Sequence, residues 1–346
     1  MMRNKALKVT ALLALSVASS GCGFVTGASG EASDGSCSSE NLRLATIRAE
    51  SDPATLGAKK FGELISKATD DRIKVRVFPN SQLGDVNSIF AGLSSGQEVD
   101  MFYEGISIYP TLKGASAFTV VSVPFLWDNY EQLTSVLRSE RFTDLLEKAA
   151  DATGVRVIAI EGDAEPRALS ADRAIKTPED MKGLKLRIAE APMPQAFARA
   201  LGAEPEVIPL SDLYLALRQG VADAQENGAI TMLNQSLDEV QKYYMPINYI
   251  RDARPWYVSD EWWDGVCEKD QKAITDAATE AGKLNTAEVA KQLGAAEKEL
   301  ASSIKVVQPD VEAFRSALDG EFAKFDGDLW PKGLLAEVED LKKESQ

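Results

Sequence analysis

The chain has 346 residues, with 38 Lys or Arg and 53 Asp or Glu, so its formal net charge at pH 7 is −15. This acidic balance argues against nucleic acid and anionic lipid as partners, because both are negatively charged. The chain contains no histidine, and so it lacks the commonest general base and the commonest zinc ligand. Since it also has no Gly-x-Ser-x-Gly elbow, metal-ligand spacing or phosphate loop, we expect no enzyme, no metal and no cofactor.

Residues 1–21 have the form of a bacterial signal peptide. A short basic segment precedes an apolar run at 9–18, which is too short to cross a bilayer. Small residues then precede Cys22, which resembles the site at which bacterial lipoproteins are cleaved and lipidated. Ser19 departs from that pattern, where a larger aliphatic residue is usual, and a plain secretory signal is the alternative. With a flexible tether at 22–41, rich in Gly, Ser and Ala, we expect an extracytoplasmic protein held at the membrane only by its lipid.

Two further cysteines, Cys37 and Cys267, would lie in an oxidising compartment. A disulfide between them would tie the start of the folded domain to the segment before a long helix. The alternative is two unpaired thiols, because the sequence does not show whether the two Cα atoms lie within the ~7 Å that a disulfide requires.

From residue 42 onwards the hydrophobic pattern alternates between strands and helices. Asp52 and Pro53 form an N-cap and N1 pair that opens the first helix. We predict strands at 42–47, 73–77, 99–103 and 155–160, a short extended piece at 122–126, and helices after residue 53, at 88–95 and at 143–152. This β/α alternation predicts an α/β lobe with a largely parallel sheet.

After Glu161 the same pattern restarts, which predicts a second α/β lobe. We expect a short helix opened by residues 177–180, strands at 184–188 and 221–225, and helices at 194–200 and 212–219. Gly220 suits the left-handed position after the last of these helices. Residues 268–304, rich in Ala, Glu and Lys, predict one helix of about 55 Å, long enough to run along both lobes.

A series of short motifs follows in a fixed order between residue 42 and about residue 304. They are Ser81-Gln82-Leu83-Gly84, Val99-Asp100, Pro124-Phe125, Thr177-Pro178-Glu179-Asp180, Gly183-Leu184-Lys185-Leu186-Arg187, Leu201-Gly202-Ala203, Tyr214-Leu215-Ala216-Leu217, Asp223-Ala224-Gln225-Glu226-Asn227 and Glu239-Val240-Gln241-Lys242-Tyr243. One of these motifs alone would be a weak match. Taken together, they make the chain resemble the dicarboxylate-binding solute-binding proteins of tripartite ATP-independent periplasmic (TRAP) transporters.

The resemblance implies an α/β clamshell of the periplasmic-binding-protein type, with a long C-terminal helix spanning both lobes. Lobe I would comprise residues 42–164 and about 253–292, and lobe II residues 165–252 and about 293–346. The resemblance further implies a monomer that closes around one small organic acid and delivers it to the membrane permease subunits of a TRAP transporter.

The family also implies which residues bind the acid. In family members, an arginine on a strand with a Lys-Leu-Arg type of sequence forms a two-pronged salt bridge with the substrate carboxylate. Arg187 occupies the matching position in this chain. A second arginine about twenty residues earlier matches Arg167, and the asparagine that ends the Gln-Glu-Asn segment matches Asn227. The chemistry agrees, because a guanidinium presents a planar fork of donors to a carboxylate, and ligands of open α/β sheets gather at the carboxyl ends of strands.

Three further residues are candidates for the cleft, and several alternatives stay open. Leu210 stands where many family members carry an aromatic residue and would make one wall aliphatic, while Tyr214 and Glu104 are candidates for the wall of the cleft. For Tyr214, packing in the core is the favoured alternative to a place in the cleft wall. Arg167 could instead form a structural salt bridge, and Asn227 could instead cap the following helix.

Two other functional classes also remain open. One is a ligand sensor that presents its closed state to a membrane kinase, and the other is a secreted enzyme acting through carboxylates. Within the transport hypothesis, the identity of the acid is left open, from C4-dicarboxylates to sugar acids, keto acids and aromatic acids.

Overall fold

The structure is a computed structural model, and it describes residues 37–344. The predicted signal peptide, the lipidation site Cys22 and most of the predicted tether lie outside the described residues. Among residues 37–344, no helix combines the length and the apolar character needed to cross a membrane.

The described residues form eleven strands and eleven α-helices, with 3₁₀ segments between them. The strands are β1 (Glu40–Ala45), β2 (Ile73–Phe78), β3 (Met101–Tyr103), β4 (Val155–Asp163), β5 (Leu169–Ala171), β6 (Lys185–Ile188), β7 (Glu204–Val207), β8 (Ala224–Gln225), β9 (Tyr243–Met245), β10 (Ala253–Ser259) and β11 (Lys305–Val306). The α-helices are α1 (Pro53–Ala68), α2 (Val86–Ser94), α3 (Tyr130–Leu137), α4 (Glu140–Thr153), α5 (Pro192–Ala200), α6 (Leu213–Arg218), α7 (Ala229–Asn234), α8 (Asp260–Gly265), α9 (Glu268–Ser303), α10 (Val311–Leu318) and α11 (Leu334–Glu344). The 3₁₀ segments are Ile106–Thr111, Lys113–Ser122, Pro178–Met181, Leu210–Asp212, Leu237–Glu239 and Ala323–Phe325.

The first sheet, with the helices around it, forms lobe I and has the strand order β2-β1-β3-β10-β4. Strands β1, β2 and β3 are parallel, and Leu44 of β1 lies beside Val77 of β2 and Met101 of β3. Helix α1 begins as predicted, because the Asp52 carboxylate accepts the N–H of Ala54 at 2.9 Å. The sheet is mixed rather than parallel throughout, since β10 runs antiparallel to both β3 and β4.

The second sheet forms lobe II and has the order β11-β9-β5-β8-β6-β7. Strand β6 lies inside this sheet and is parallel to both of its neighbours, with Arg187 paired to Gln225 of β8 and Glu206 of β7. Residues at the carboxyl ends of β6 and β8 are therefore brought side by side.

Two segments cross between the sheets, one from β4 to β5 and the other from β9 to β10. They run side by side: the N–H of Ala164 donates to the carbonyl of Asp252 at 3.2 Å, and that of Arg167 donates to the carbonyl of Ile250 at 3.1 Å. The lobes are thus joined by two crossing segments that hydrogen-bond to each other.

Helix α9 confirms the predicted long helix, and its 36 residues extend about 54 Å at 1.5 Å per residue. It contacts α1 and β4 in lobe I and α7 and β11 in lobe II. The helix approaches β4 so closely that a Cβ on Gly282 would lie 2.3 Å from the Cβ of Glu161, which explains a glycine inside this helix.

Besides the mixed sheet of lobe I, the structure differs from the sequence expectations in two further places. The segment 122–126 is not a strand: it follows the 3₁₀ segment Lys113–Ser122, and Phe125 has a left-handed φ of 62°. Helix α11, expected in lobe II, packs on α3 in lobe I and buries Leu334 and Val338. Hydrophobic spacing in the sequence predicts such a helix but does not show against which lobe it packs. The other predicted lobe boundaries stay predictions.

Cys37 and Cys267 are joined in a disulfide with a Cα–Cα distance of 5.8 Å. The bridge attaches the first described residue to the residue before α9. Beside it, Arg72 donates to both carboxylate oxygens of Asp270, at 2.8 and 2.7 Å. The start of the domain is therefore fixed to the start of the long helix by a covalent bond and an ion pair.

Candidate functional site

A cavity of about 100 Å³ lies between the two lobes. One water molecule needs roughly 10–15 Å³ of such space, so the cavity has room for several waters or a small organic molecule. Lobe I contributes Ile47, Arg48, Ser81, Asp85, Val86, Asn87 and Ile108 to its wall, and lobe II contributes Arg167, Arg187, Ala189, Glu190, Val207, Ile208, Pro209, Leu210 and Asn227.

Arg187 on β6 lines this cavity and is only 2% exposed. Its Nε donates to the carbonyl of Ile208 at 2.8 Å, which holds the guanidinium plane in place. Within residues 37–344 its two Nη groups have no hydrogen-bond partner, and no carboxylate is within salt-bridge distance. Burial lowers the pKa of Arg187 to about 10, opposed by the charge of Glu226 and reinforced by neighbouring arginines. The fold thus buries a cation whose donor fork faces a cavity.

Arg167 lies in the crossing segment before β5 and also lines the cavity. Its Nη1 donates to both carboxylate oxygens of Glu226, at 2.7 and 2.8 Å, and the Tyr249 hydroxyl donates to the same carboxylate at 2.7 Å. Burial by itself would lower the pKa of Arg167, but the negative charge of Glu226 favours the charged form, and the pKa is raised. The structural ion pair considered from the sequence is therefore present, and the same side chain also reaches the cavity wall.

Asn227 follows β8 and lies on the cavity wall. Its backbone N–H and its Nδ2 both donate to Oε1 of Gln225, at 2.6 and 2.7 Å. It does not cap α7: the residue before that helix is Gly228, and the Glu165 carboxylate accepts the N–H of Ile230 at 2.6 Å. Gly228 is required there, because a Cβ would lie 2.6 Å from the Glu165 carboxyl carbon.

Of the other predicted site residues, the structure brings only Leu210 to the cavity. Leu210 lies on the wall and is 7% exposed. Tyr214, one turn later, faces away, and its hydroxyl donates to Glu239 at 2.8 Å. Glu104 is buried but is not part of the wall, because ion pairs to Arg48 and Arg254 hold it in the interior of lobe I.

Arg48 is a residue of the cavity wall that was not among the predicted site residues. Its Nε and Nη2 each donate to Glu104 at 2.7 Å, and its Nη1 lies 3.4 Å from Oγ1 of Thr231 in lobe II. Burial alone would raise the pKa of Glu104, but Arg48 and Arg254 hold it at about 2. Arg48 comes shortly after the carboxyl end of β1, where the rule for open α/β sheets places ligand-binding residues, so its position was the available signal.

Glu190 and Asn87 lie where the two lobes meet at the cavity. The Nδ2 of Asn87 in lobe I donates to the carboxylate of Glu190 in lobe II. Two lobes with paired crossing segments, an interlobe contact and a cation-lined cavity between them define a solute-binding receptor of the clamshell type.

Comparison with known proteins identifies the family. A family model described as bacterial extracellular solute-binding protein, family 7, matches residues 44–328. A solute-binding protein of Roseobacter denitrificans is 32% identical over 243 residues, covering 69% of this chain and 72% of that protein. The C4-dicarboxylate-binding periplasmic protein of Rhodobacter capsulatus is 33% identical over 225 residues, covering 65% of this chain and 66% of that protein.

A solved structure gives the same result. The crystal structure of a TRAP periplasmic solute-binding protein of Roseobacter denitrificans with bound L-galactonate has a TM-score of 0.80 at 28% identity and covers 88% of this chain and 99% of that chain. The chain belongs to the bacterial extracellular solute-binding proteins of family 7, the periplasmic solute-binding proteins of TRAP transporters. Members of this family are transport proteins and not enzymes, which removes the secreted enzyme considered from the sequence.

Proposed function

We propose that this protein captures a small organic acid outside the cytoplasm and delivers it to the membrane permease of a TRAP transporter. Arg187 carries the proposal: a buried guanidinium, oriented by the Ile208 carbonyl, faces the interlobe cavity without an acidic partner among residues 37–344. Burying a cation is costly unless it is paired. A ligand carboxylate that accepts from both Nη groups supplies the counter-charge and completes the two-pronged geometry.

The magnitudes are consistent with this role. A hydrogen bond to a charged group contributes about 1.5–3 kcal/mol net, so two such bonds supply about 3–6 kcal/mol. Micromolar binding requires about 8 kcal/mol. The salt bridge therefore accounts for about half of such an affinity, and contacts with the rest of the wall supply the remainder.

Other wall residues complete the binding site in this proposal. Among residues 37–344 only Nη1 of Arg167 donates a side-chain hydrogen bond, to Glu226, so its other N–H groups can support the same carboxylate. Asn227 offers its amide oxygen next to β8. Leu210 contributes an aliphatic surface against the carbon chain of the ligand. The names of two relatives agree with an acidic ligand, because one binds C4-dicarboxylates and the other was crystallised with L-galactonate.

The proposal includes the membrane attachment expected from the N-terminal sequence. Cleavage before Cys22 and lipidation of that cysteine would hold a monomeric receptor at the membrane surface. Mass spectrometry of the mature N-terminus tests this part separately: a diacylglyceryl modification on Cys22 supports it, and an unmodified N-terminus at another residue refutes it.

Arg187→Lys tests the binding role directly. A thermal-shift screen of dicarboxylates, aldonates, keto acids and aromatic acids first identifies a bound acid, and calorimetry then measures its affinity. Lysine keeps the charge but loses the planar fork, so we expect binding to weaken at least tenfold. The matched control is Arg199→Lys, since Arg199 is exposed on α5 of the same lobe and its side chain hydrogen-bonds only to Gln195 in the described part of the chain. An affinity within threefold of wild type for Arg187→Lys would show that Arg187 is not the anchor.

A further inference from the structure

The charged side chains of the cavity wall form two groups that do not pair with each other. Arg48, Arg167 and Arg187 are the cationic group, and Asp85 and Glu190 are the acidic group. Among residues 37–344, neither acid forms an ion pair with any of these arginines. Opposite charges in contact within a small cavity would pair, so the two groups occupy different parts of the wall.

The cationic group has capacity for one carboxylate. Arg48 is already matched by the two oxygens of Glu104, and Arg167 by the two oxygens of Glu226. Only Arg187 has a donor fork without an acidic partner in the described part of the chain. A ligand with a second carboxylate would need another unpaired cation, and the wall does not supply one.

The acidic group offers hydrogen-bond acceptors. Asp85 is half-buried, accepts the N–H of Ser88 at 2.8 Å, and has its pKa lowered by hydrogen bonds from that residue, so it is ionised at neutral pH. Glu190 accepts from the amide of Asn87 across the lobes. An ionised carboxylate can only accept hydrogen bonds. Ligand hydroxyl groups are therefore favourable partners for this part of the wall, whereas a second carboxylate is repelled.

Ser81 adds a further polar group to the lobe I wall. Ser81 lines the cavity, and its hydroxyl has no hydrogen-bond partner among residues 37–344. Asn80 and Ser81 both adopt left-handed backbone conformations, with φ of 53° and 56°. Such conformations are rare for residues with side chains and concentrate at sites that hold ligands. A hydroxyl both donates and accepts, so Ser81 is matched to a ligand hydroxyl.

From these groups we infer that the ligand carries one carboxylate and several hydroxyl groups, as an aldonic acid does, rather than two carboxylates. The inference rests on the proposed function, because the single carboxylate is the group held by Arg187. In this arrangement the carboxylate binds lobe II and the hydroxyls contact Ser81 and Asp85 of lobe I. One ligand then joins both lobes, and its hydroxyl groups determine whether the lobes close.

Acids that differ in charge and in hydroxyl groups test the inference. Calorimetry on the full chain compares two six-carbon aldonates (D-gluconate and L-galactonate) with adipate, hexanoate and succinate. We expect at least one aldonate to bind at least tenfold more tightly than adipate, hexanoate or succinate. Adipate has the same carbon count but a second charge, and hexanoate has one carboxylate and no hydroxyl. Comparing the aldonates with hexanoate therefore measures recognition of hydroxyls, and comparing adipate with hexanoate measures the effect of a second charge.

Two variants test whether Asp85 and Ser81 of the cavity wall cause the preference for aldonates. Asp85→Asn keeps an oxygen that can accept the N–H of Ser88 but removes the charge, so we expect the preference for aldonate over adipate to fall at least fivefold. Ser81→Ala is expected to weaken aldonate binding at least threefold and to leave hexanoate unchanged. Asp144→Asn is the matched control, because Asp144 is exposed on α4 and its loss changes the net charge equally. It should leave every affinity as in wild type.

The possible outcomes separate this inference from the proposed function. If adipate, succinate or hexanoate binds wild type as tightly as the aldonates, and Arg187→Lys weakens that binding, the single-carboxylate inference fails while the proposed function stands. If the aldonates bind best but Arg187→Lys has no effect, Arg187 is not the anchor of the carboxylate, and both that part of the proposed function and the inference that rests on it are overturned. If no organic acid binds, both are overturned. An unchanged preference in Asp85→Asn would remove the acidic group as the source of selectivity and overturn the inference.

Discussion

Replacing Arg187 with methionine is expected to abolish acid binding and at the same time to stabilise the ligand-free protein. Methionine has a similar length but no charge. In the structure the guanidinium is 2% exposed and has no acidic partner among residues 37–344. The folded protein therefore bears the cost of a buried cation that only the ligand relieves.

The expected size of the effect follows from the pKa of Arg187. Burial lowers this pKa from 12.5 to about 10, which at 1.36 kcal/mol per pKa unit corresponds to about 3 kcal/mol against the charged form. The variant also loses the hydrogen bond from Nε to the Ile208 carbonyl, worth about 1 kcal/mol. The net gain is about 2 kcal/mol, or a rise in Tm of about 3 °C for a folded part of this size.

Differential scanning fluorimetry with and without the bound acid measures both effects. Without ligand, Arg187→Met should melt at a higher temperature than wild type. At a ligand concentration of 1,000 Kd, wild type gains about 4 kcal/mol from binding, so the order of the two melting temperatures should reverse. Arg199→Met is the control, because this exposed arginine should affect neither measurement.

Two results would refute the reasoning. A ligand-free Arg187→Met that melts well below wild type would show that the guanidinium is a structural element with a favourable role in the unliganded fold. A variant that still gains wild-type stabilisation from the acid would show that the cation is not the partner of the carboxylate.

Two further predictions concern stability away from the ligand. Reduction of the Cys37–Cys267 disulfide, or Cys→Ser replacement at both positions, should cost about 2–4 kcal/mol and leave ligand affinity unchanged, because neither residue lines the cavity; a change in calorimetric Kd would contradict this. Burial raises the pKa of Asp163 to about 6, above its unfolded value of about 3.9. The stability that Asp163 contributes is therefore fully present below pH 4 and is lost as the pH rises through 6. In urea titrations, Asp163→Asn should therefore have the same free energy of unfolding as wild type near pH 4. Above pH 7 its free energy of unfolding should be higher by up to about 3 kcal/mol, and a pH-independent difference would contradict this.

Local signals in the sequence determined much of the architecture. The Asp52 cap and the following hydrophobic spacing predicted α1, and the run at 268–304 predicted α9 to within one residue. These succeed because capping and 3.6-residue periodicity depend on neighbours within one element. The family resemblance added Arg187, Arg167 and Asn227, and the structure brings these three side chains to one cavity.

The long-range ion pairs and the order of the strands depend on which distant segments of the chain meet. Periodicity within one element does not show which segments these are. The pairing of Arg48 with Glu104 joins residues 56 positions apart, and the pairing of Arg167 with Glu226 spans 59. Strand β10 enters lobe I antiparallel after the chain has built most of lobe II, and α11 returns to lobe I. The sequence placed Arg187 on the outward face of a strand. Only the tertiary structure decided that the opposite lobe and the neighbouring loops cover that face, and this cover turns an exposed arginine into a buried cation facing the cavity.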